Sequence, residues 1–389
     1  MPKRTHSPIS LIEHLEKLHD PRVNRTRDHE LVDILVIGIC TLLCGGETFN
    51  DMEEFGHAKR EWFESFLSLP NGIPSHDTFN RVFAALDPEE FLECFLTWTQ
   101  GIRQAVDKEI VAMDGKALRR ARTKGQSLKY VVSAWAEDNN LVLGQMKVAD
   151  KSNEITAIPE LLRILELGGC IVTIDAMGCQ KKIAKEIVES DADYVLALKG
   201  NQETVHEEVK TFLDAAINGF ENGRESGMTR PELKALKQTL QQKETVDGDH
   251  GRIETRRYYQ SEDLQWFADR DQWEGLSTVG VVESTRDIGG EVTTERRYFL
   301  SSLPLDVAQF ARAVRSHWGI ENKLHWVLDV SLGEDRSRAR AGHAAENLAT
   351  LRRLALNMLK KDNSKKRGIK GKQLSAGWDH AYLLKLLSV

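Results

Sequence analysis

The sequence predicts an α/β protein: a mixed sheet of five strands with flanking helices, preceded by an all-α N-terminal domain and interrupted by a β-rich insertion. Three observations support this. Apolar residues recur at helical spacing up to about residue 102, and the period changes to two from Glu109 onward. The strands after residue 169 are continuously apolar, which is typical of strands covered by helices on both faces of a sheet.

The N-terminal domain is predicted to cover residues 1–105 with about five helices. Pro74-Ser75 and Asp87-Pro88 are typical helix starts. The most apolar run, residues 31–46, contains Asp33 and is shorter than the roughly 18 apolar residues of a membrane span, so we expect a buried helix. The segment SHDTFNRVFAAL, residues 75–86, is equally compatible with the second helix of a helix-turn-helix and with ordinary helix packing.

The sheet is predicted to begin within residues 106–217, the first part of the α/β domain. Its predicted strands are Ile110–Gly115, Tyr130–Glu137, Leu141–Ala149, Cys170–Asp175 and Asp193–Lys199. The first three form a meander, and helices separate the later ones. Connectivity rules allow the first and fourth strands to lie side by side, and Asp114 and Asp175 would then converge.

The remaining chain is predicted to be a β-rich insertion over residues 218–303 and a C-terminal helical part over residues 304–389. Gly289-Gly290 indicates a hairpin within the insertion. The last part carries a Lys-rich stretch from Lys360 to Lys372, which forms a basic tail.

Composition narrows the class of protein. A chain of 389 residues predicts roughly two or three domains. The net charge of -6 requires any nucleic-acid contact to come from local basic patches. Five cysteines without a CxxC pair predict a reduced, cytoplasmic protein, and the charged N-terminus does not match a signal peptide.

Three acidic residues are candidate metal ligands: Asp114 and Asp175 at the ends of apolar strands, and Glu321 in a helix-like run. Buried carboxylates are costly unless a cation or hydrogen bonds stabilise them. Oxygen ligands suit Mg²⁺ or Mn²⁺, and two such ions can hold the attacking and leaving oxygens of a phosphodiester. These residues therefore predict a metal-dependent enzyme acting on DNA, although Asp114 taken alone is more often a turn residue and Asp175 taken alone is as often one.

Residues 315–330, RSHWGIENKLHWVLDV, are predicted to be one helix that carries His317, Glu321, His325 and Leu328 on one face. One alternative makes the two histidines and Glu321 a zinc site, although the spacing does not match HExxH. A second alternative makes Glu321 a surface charge beside a helix core.

Basic residues form two groups that follow the first Asp and the Glu321 helix. Their members are Lys116, Arg119, Arg120, Arg122 and Lys124 in the first group, and Arg336, Arg338, Arg340, Arg352 and Arg353 in the second. Such groups are often only solvated faces, but their position beside the candidate ligands favours phosphate binding.

The segments VAMDGKALR, TIDAMGCQ, ALKGNQ and RSHWGIENKLHWVLDV resemble those of DDE-type transposases of bacterial insertion sequences, most closely the H-repeat-associated group. The resemblance covers nearly the whole chain, including the N-terminal SLIEHLEKLHDPR. It implies an RNase H-like domain in which Asp114, Asp175 and Glu321 are the catalytic and metal-binding triad for two Mg²⁺ or Mn²⁺ ions. Residues expected to contact DNA or to support the triad are Lys116, Lys199, Asn201, Arg315, His317, Asn322 and His325.

One departure concerns the residues around Glu321. Many relatives have Tyr, Arg and Lys where this chain has Val314, His317 and Leu328. A leucine cannot contact phosphate, so the way those relatives hold a transposon end does not transfer directly.

The implied activity is cleavage at transposon ends followed by transfer of the 3′ hydroxyl into target DNA. We expect double-stranded DNA as the partner, a homodimer on DNA, no membrane, and a cytoplasmic location at the bacterial nucleoid. Two alternatives remain: a hydrolytic nuclease that does not join strands, and a catalytically silent or domesticated DNA-binding protein.

Overall fold

The computed structural model describes residues 11–23, 25, 27–120, 129–148, 154–249 and 252–389. The chain divides into two compact units. We call the first, Met1–Val106, Gly115–Ser152 and Ile320–Val389, the helical unit. The second, Asp107–Asp114 and Asn153–Gly319, is the sheet unit. The four-part division at residues 105, 217 and 303 stays a prediction.

The helices and strands are numbered in chain order. The helices are α1 (Leu11–Leu15), α2 (Leu31–Leu43), α3 (Phe49–Ala58), α4 (Arg60–Phe63), α5 (His76–Ala85), α6 (Pro88–Ile102), α7 (Glu154–Ile164), α8 (Lys181–Glu189), α9 (Glu203–Asn222), α10 (Arg230–Thr239), α11 (Val307–Gly319), α12 (Trp326–Val330), α13 (Ala344–Lys361), α14 (Ile369–Trp378) and α15 (His380–Leu387). The strands are β1 (Ile110–Leu118), β2 (Lys129–Ala136), β3 (Leu141–Val148), β4 (Ile171–Ile174), β5 (Asp193–Leu198), β6 (Leu240–Asp249), β7 (Arg252–Ser261), β8 (Thr278–Ile288) and β9 (Glu291–Ser301).

Helix starts in the helical unit follow from local capping chemistry. The Ser75 side chain accepts a hydrogen bond at the start of α5, and Asp87 does the same before Pro88 of α6. Both predicted helix starts are therefore confirmed. Of the two alternatives for residues 75–86, ordinary helix packing is the one observed: α4 ends at Phe63, far before His76, whereas a helix-turn-helix needs a turn of about three to four residues.

The core of the helical unit contains α2 and α13. Helix α2 is buried on almost all sides, as predicted from its apolar run, and Asp33 within it accepts hydrogen bonds from the backbone N–H groups of Ser68 and Leu69 at 3.3 and 2.8 Å. Those bonds stabilise the buried carboxylate. Among the described helices, none combines the length and apolar character that crossing a membrane requires.

The strand order is β3-β2-β1-β4-β5-β9-β8-β7-β6. Strand β4 is parallel to both β1 and β5, and β9 is antiparallel to β5. The predicted neighbourhood of the first and fourth strands is confirmed. The predicted count of five is exceeded, because the four inserted strands continue the same sheet through the pairing of Val195 with Ser301.

Helix α11 covers one face of the inserted strands near the body of the sheet unit. Its Phe310 packs with Tyr258, Val282 and Phe299, and Gly280 makes room for it, since a Cβ there would lie 2.4 Å from the Phe310 ring. On the face presenting Tyr259 and Tyr298, hydrogen bonds join the strands to α9, such as that from the Tyr298 hydroxyl to Asp214 at 2.9 Å. The sheet is thus covered by helices, as its apolar strands predict.

Candidate active site

Strand β1 continues to Leu118, past the predicted end at Gly115, so Asp114 lies within β1, whereas Asp175 directly follows the neighbouring parallel strand β4. Met113 of β1 and Ile174 of β4 are paired in register, and each Asp is the next residue. The backbone of Asp175 is still extended, with φ -67° and ψ 178°. Paired residues of parallel strands project to the same face, and such strands are about 4.8 Å apart. Continuing this register by one residue places the two half-buried Asp side chains on the same face of neighbouring strands in the sheet unit.

A tight turn fixes Asp175. Its Oδ1 accepts a hydrogen bond from the Met177 N–H at 3.1 Å, which caps the 3-10 turn Ala176–Gly178. Asn201 donates from Nδ2 to the Ala176 carbonyl at 2.7 Å. Asn201 thus supports the residue next to Asp175. This hydrogen bond is consistent with the supporting role predicted for Asn201.

Gln202 gives a second link to this turn, and sequence reasoning missed it. Its Nε2 donates to the Cys179 carbonyl at 3.2 Å and to the Gln180 side chain at 3.1 Å. The sequence did contain a signal for this contact, because Gln202 ends the segment ALKGNQ and Gln180 ends the segment TIDAMGCQ, and both segments carry the family resemblance. These two segments hold each other in place.

We expect Gly178→Ala to destabilise the protein, because an added Cβ would lie 2.2 Å from Ile174 Cγ2 and 3.2 Å from Ile158 Cδ1. Overpacking of this kind costs about 1–3 kcal/mol. Urea denaturation of the parent and variant measures the loss. Gly200→Ala is the control, since a Cβ at Gly200 meets nothing within 4 Å. Equal stability of the two variants would contradict this packing.

His317 lies beside the Asp pair in the sheet unit. Its Nδ1 is 3.0 Å from the hydroxyl of Thr173, which precedes Asp175 by two residues and shares its face of β4. Burial lowers the pKa of His317, and the attraction of Asp175 for the imidazolium offsets only part of that effect. A neutral imidazole next to Asp175 is a hydrogen-bonding group that suits the predicted supporting role.

Glu321 lies in the helical unit, on a π-helical segment, Ile320–His325, between α11 and α12. The prediction of one continuous helix is therefore wrong. A π-turn contains more than four residues, so the single face predicted for His317, Glu321 and His325 does not persist. Glu321 and Asn322 are exposed, and His325 is half-buried.

The π-helical segment is held by an ion pair between Lys323 and Glu137. Glu137 also accepts a hydrogen bond from the buried indole of Trp135 at 2.9 Å. These contacts connect the residues around Glu321 to the end of β2 within the helical unit.

We expect Glu137→Gln to loosen the π-helical segment, because glutamine keeps an acceptor for Trp135 and removes the charge that holds Lys323. The pair is partly exposed, so the loss of stability should be only about 0.5–1 kcal/mol. Amide hydrogen exchange measures the local effect, as faster exchange confined to Ile320–His325. Glu186→Gln, which breaks an ion pair with Arg163 in the sheet unit, is the control and should leave that exchange unchanged.

Lys116 is buried by carboxylates rather than exposed to DNA. Its Nζ lies 2.6 Å from Asp329, 3.2 Å from Glu334 and 3.2 Å from Asp335, all within the helical unit. An ammonium group with three such partners is already neutralised. We therefore leave Lys116 out of the DNA-contacting set.

The predicted basic groups are partly exposed and partly buried. Arg352 and Arg353 are 1% and 0% exposed, and Arg353 Nη1 lies 2.8 Å from Glu334 Oε1. Neither can reach a phosphate, so their prediction as DNA contacts is wrong. Arg122 and Lys124 lie outside the described residues. The exposed members are Arg119, Arg120, Arg336, Arg338 and Arg340.

Two further predicted contacts are exposed in the sheet unit. Lys199 follows β5 directly, and Arg315 lies on α11 with its guanidinium 3.7 Å from Asp247. Both side chains are accessible to a polyanion.

The residues present fit a hard divalent metal in part. Asp114 and Asp175 provide oxygen donors at adjacent positions on neighbouring strands, and oxygen is the donor type that Mg²⁺ or Mn²⁺ prefers. Within the described residues, no group of three or more His, Cys, Asp or Glu side chains is gathered closely enough to hold an ion. This applies both to the three carboxylates and to the zinc alternative of His317, Glu321 and His325.

Comparison with known proteins adds the decisive observation. The family described as "Transposase DDE domain" matches residues 106–358, well over half of the chain. The chain belongs to this DDE transposase family. A second family, described as DDE_Tnp_1-associated, matches residues 12–99. The expected resemblance is therefore confirmed.

Individual relatives cover nearly the whole chain. "Putative transposase YncI" of Escherichia coli O157:H7 is 37% identical over 385 residues, 97% of this chain and 94% of that protein. "H repeat-associated putative transposase YhhI" of Escherichia coli (strain K12) is 36% identical over 386 residues, 97% of each chain. A short relative, "Inactive transposase YbfQ" of the same strain, is 38% identical over 72 residues, 18% of this chain and 86% of that protein.

Proposed function

We propose that this DDE transposase cleaves phosphodiester bonds at the ends of its element and joins the resulting 3′ hydroxyl groups to target DNA. The observation that carries the proposal is the position of Asp114 and Asp175, which directly follow the in-register residues Met113 and Ile174 of the neighbouring strands β1 and β4. Carboxylates in that position repel DNA phosphates unless cations lie between them. A protein that only binds DNA gains nothing from this pair.

In this proposal Asp114, Asp175 and Glu321 hold two Mg²⁺ or Mn²⁺ ions. When bound, such ions activate water or a hydroxyl group and stabilise the leaving oxygen. The chain's own residues keep the ligands in place: Asn201 and Gln202 hold the turn after Asp175, and Glu137 holds the π-helical segment of Glu321. The strands β1 to β5 with their helices would correspond to an RNase H-like core.

We propose that the remaining predicted residues either contact DNA or support the metal ligands. Lys199 and Arg315 are exposed cations that would contact phosphates of the bound DNA. His317 is hydrogen-bonded next to Asp175, and Asn322 and His325 flank Glu321. We propose double-stranded DNA as the partner and a homodimer as the assembly that holds two transposon ends together.

The test is an assay of cleavage and strand transfer on labelled DNA that carries the sequences flanking the gene, with Mg²⁺, Mn²⁺ or a chelator. The expected products are free 3′ ends in either metal, followed by joining to a second DNA. Cleavage without joining would indicate a hydrolytic nuclease. Binding without cleavage in either metal would indicate a silent DNA-binding protein.

A further inference from the structure

An extended segment rich in arginine connects the 3-10 turn after α12 to α13 in the helical unit. We call Arg336–His343 the arginine strap. It has no helical or strand hydrogen bonding between Ser337 and Arg340, and Arg336, Arg338 and Arg340 are exposed while the residues between them are half-buried. Ser337 has extended backbone angles, φ -60° and ψ 130°, and this alternation of exposure is typical of an extended chain, whose alternate side chains lie on one side.

The first end of the strap is fixed against the segment before α3. Gly333, just before the strap, has φ +63°, and a Cβ there would lie 2.2 Å from the Glu47 carboxylate. That carboxylate also accepts a hydrogen bond from Arg336 Nε at 3.1 Å. Arg336 is thus used for anchoring.

The second end is fixed against the end of α5. The His343 N–H donates to the Ala84 carbonyl at 3.0 Å. Gly342 has φ +47°, and a Cβ there would lie 2.4 Å from the same carbonyl oxygen. Because both ends are anchored, the strap is held in one conformation before any partner arrives, which reduces the ordering cost of binding.

The middle of the strap borders an open cavity of about 430 Å³. Ser337, Arg338 and Ala339 form one wall, and the first turns of α3 and α5 form the other, with Asn50 and Asn80 among the polar lining residues. Two acids also line it: Glu47, which is paired with Arg336, and Asp77, which is exposed. The cavity leaves open space beside Arg338.

The two central arginines are available for binding. Arg338 has no ion-pair partner within the described part of the chain, and Arg340 donates only to the backbone carbonyl of Arg120, at 3.1 Å. That contact brings Arg119 and Arg120 next to the strap, and Arg119 is 75% exposed, with Asp335 3.4 Å away. The arginines of the strap, together with Arg119 and Arg120, therefore concentrate positive charge locally on a chain whose net charge is -6.

We propose that the arginine strap binds the phosphate backbone of duplex DNA, with one phosphate contact each from Arg338 and Arg340. Alternate residues of an extended chain are roughly 6.6 Å apart, a spacing that lets two guanidinium groups follow one strand of DNA. Guanidinium groups bind phosphate in a bidentate manner. This inference rests on the proposed function, because it names the surface that would hold the transposase's DNA.

The test measures binding to a short labelled duplex of random sequence, in chelator so that no cleavage occurs, across a range of salt concentrations. For Arg338→Ala/Arg340→Ala we expect at least a tenfold loss of affinity at low salt. The slope of log affinity against log salt should fall by about 1.8, since each phosphate contact contributes about 0.9. Arg338→Lys/Arg340→Lys should keep most of the slope, because the charge remains.

The matched control is Lys17→Ala/Arg60→Ala, which removes two exposed cations of the same unit outside the strap. It should leave the slope unchanged. If the double alanine variant does not fold, Arg338→Ala alone should still lower the slope by about 0.9. If the parent cleaves DNA but the strap variant keeps the parent's affinity and salt slope, the proposed role of the strap is wrong and the proposed function still stands. A parent that binds no duplex would overturn the strap and the proposed function together.

Discussion

Asp175→Asn should abolish metal-dependent cleavage while leaving DNA affinity in chelator within about twofold of the parent. The amide lacks the charge that binds a divalent ion, but it has nearly the same shape and still accepts the Met177 N–H that caps the turn. Loss of roughly 4 kcal/mol of metal-dependent stabilisation corresponds to about a 10³-fold decrease in rate. Single-turnover cleavage of labelled DNA and Mn²⁺ binding followed by electron paramagnetic resonance measure the two effects.

Asp193→Asn is the matched control for this prediction. Asp193 begins the neighbouring strand β5, so it lies at the opposite end of the sheet from Asp175. Its carboxylate accepts a hydrogen bond from the Ser302 hydroxyl at 2.7 Å. The Asp193→Asn variant should cleave DNA at the parent's rate. Asp114→Asn should match Asp175→Asn, and the double variant should lose little more, since residues that act as a unit are not additive. Cleavage by Asp175→Asn at the parent's rate would contradict the proposed ligand set.

The pair of acids could be predicted from the sequence because its signals are local. Each Asp ends an apolar run, and the order of strands and helices between them allows β1 and β4 to be neighbours, as they are in the structure. The same reasoning could not predict that β9 pairs with β5, since Val195 and Ser301 are far apart in the chain and no local pattern marks the pairing. The inserted strands were therefore predicted as a segment separate from the five-stranded sheet.

Glu321 shows a different limit. Residues 315–330 have an apolar spacing that fits one continuous α-helix, and that spacing does not mark the wider π-turn at Ile320–His325, which moves later side chains off the predicted face. The buried arginines show a third limit of prediction from the sequence. Arg352 and Arg353 follow an apolar helical pattern, LATLRRLALNML, which is typical of a core position. Sequence alone could not show that Glu334 would lie against Arg353 and stabilise its charge.

Glu334→Gln should be strongly destabilising, because this carboxylate neutralises two buried cations. Glu334 is 3% exposed, 2.8 Å from Arg353 Nη1 and 3.2 Å from Lys116 Nζ. Removing one member of a buried ion pair leaves an uncompensated charge and costs about 3–5 kcal/mol. For a unit of this size, the thermal midpoint should fall by roughly 6 to 20 °C, as measured by circular dichroism.

The pH dependence of the same variant gives an independent check. Burial alone would raise the pKa of Glu334, but Arg353, Lys116 and Arg352 lower it from 4.5 to about 2. Because the folded pKa lies below the unfolded value, the stabilisation is fully present above about pH 4.5 and is lost as the pH falls toward 2. The stability difference between parent and variant should therefore be constant from pH 5 to 8 and shrink in acid, over roughly that interval.

Glu186→Gln distinguishes a buried pair from an exposed one by the same substitution. Its partner Arg163 has a side chain that is 53% exposed, so water already screens the pair and the loss should stay below about 1 kcal/mol. If Glu334→Gln cost no more than Glu186→Gln, the buried carboxylate would not be neutralising Arg353 and Lys116. The structural role assigned to Lys116 would then fail, and its use as a DNA contact would have to be considered again.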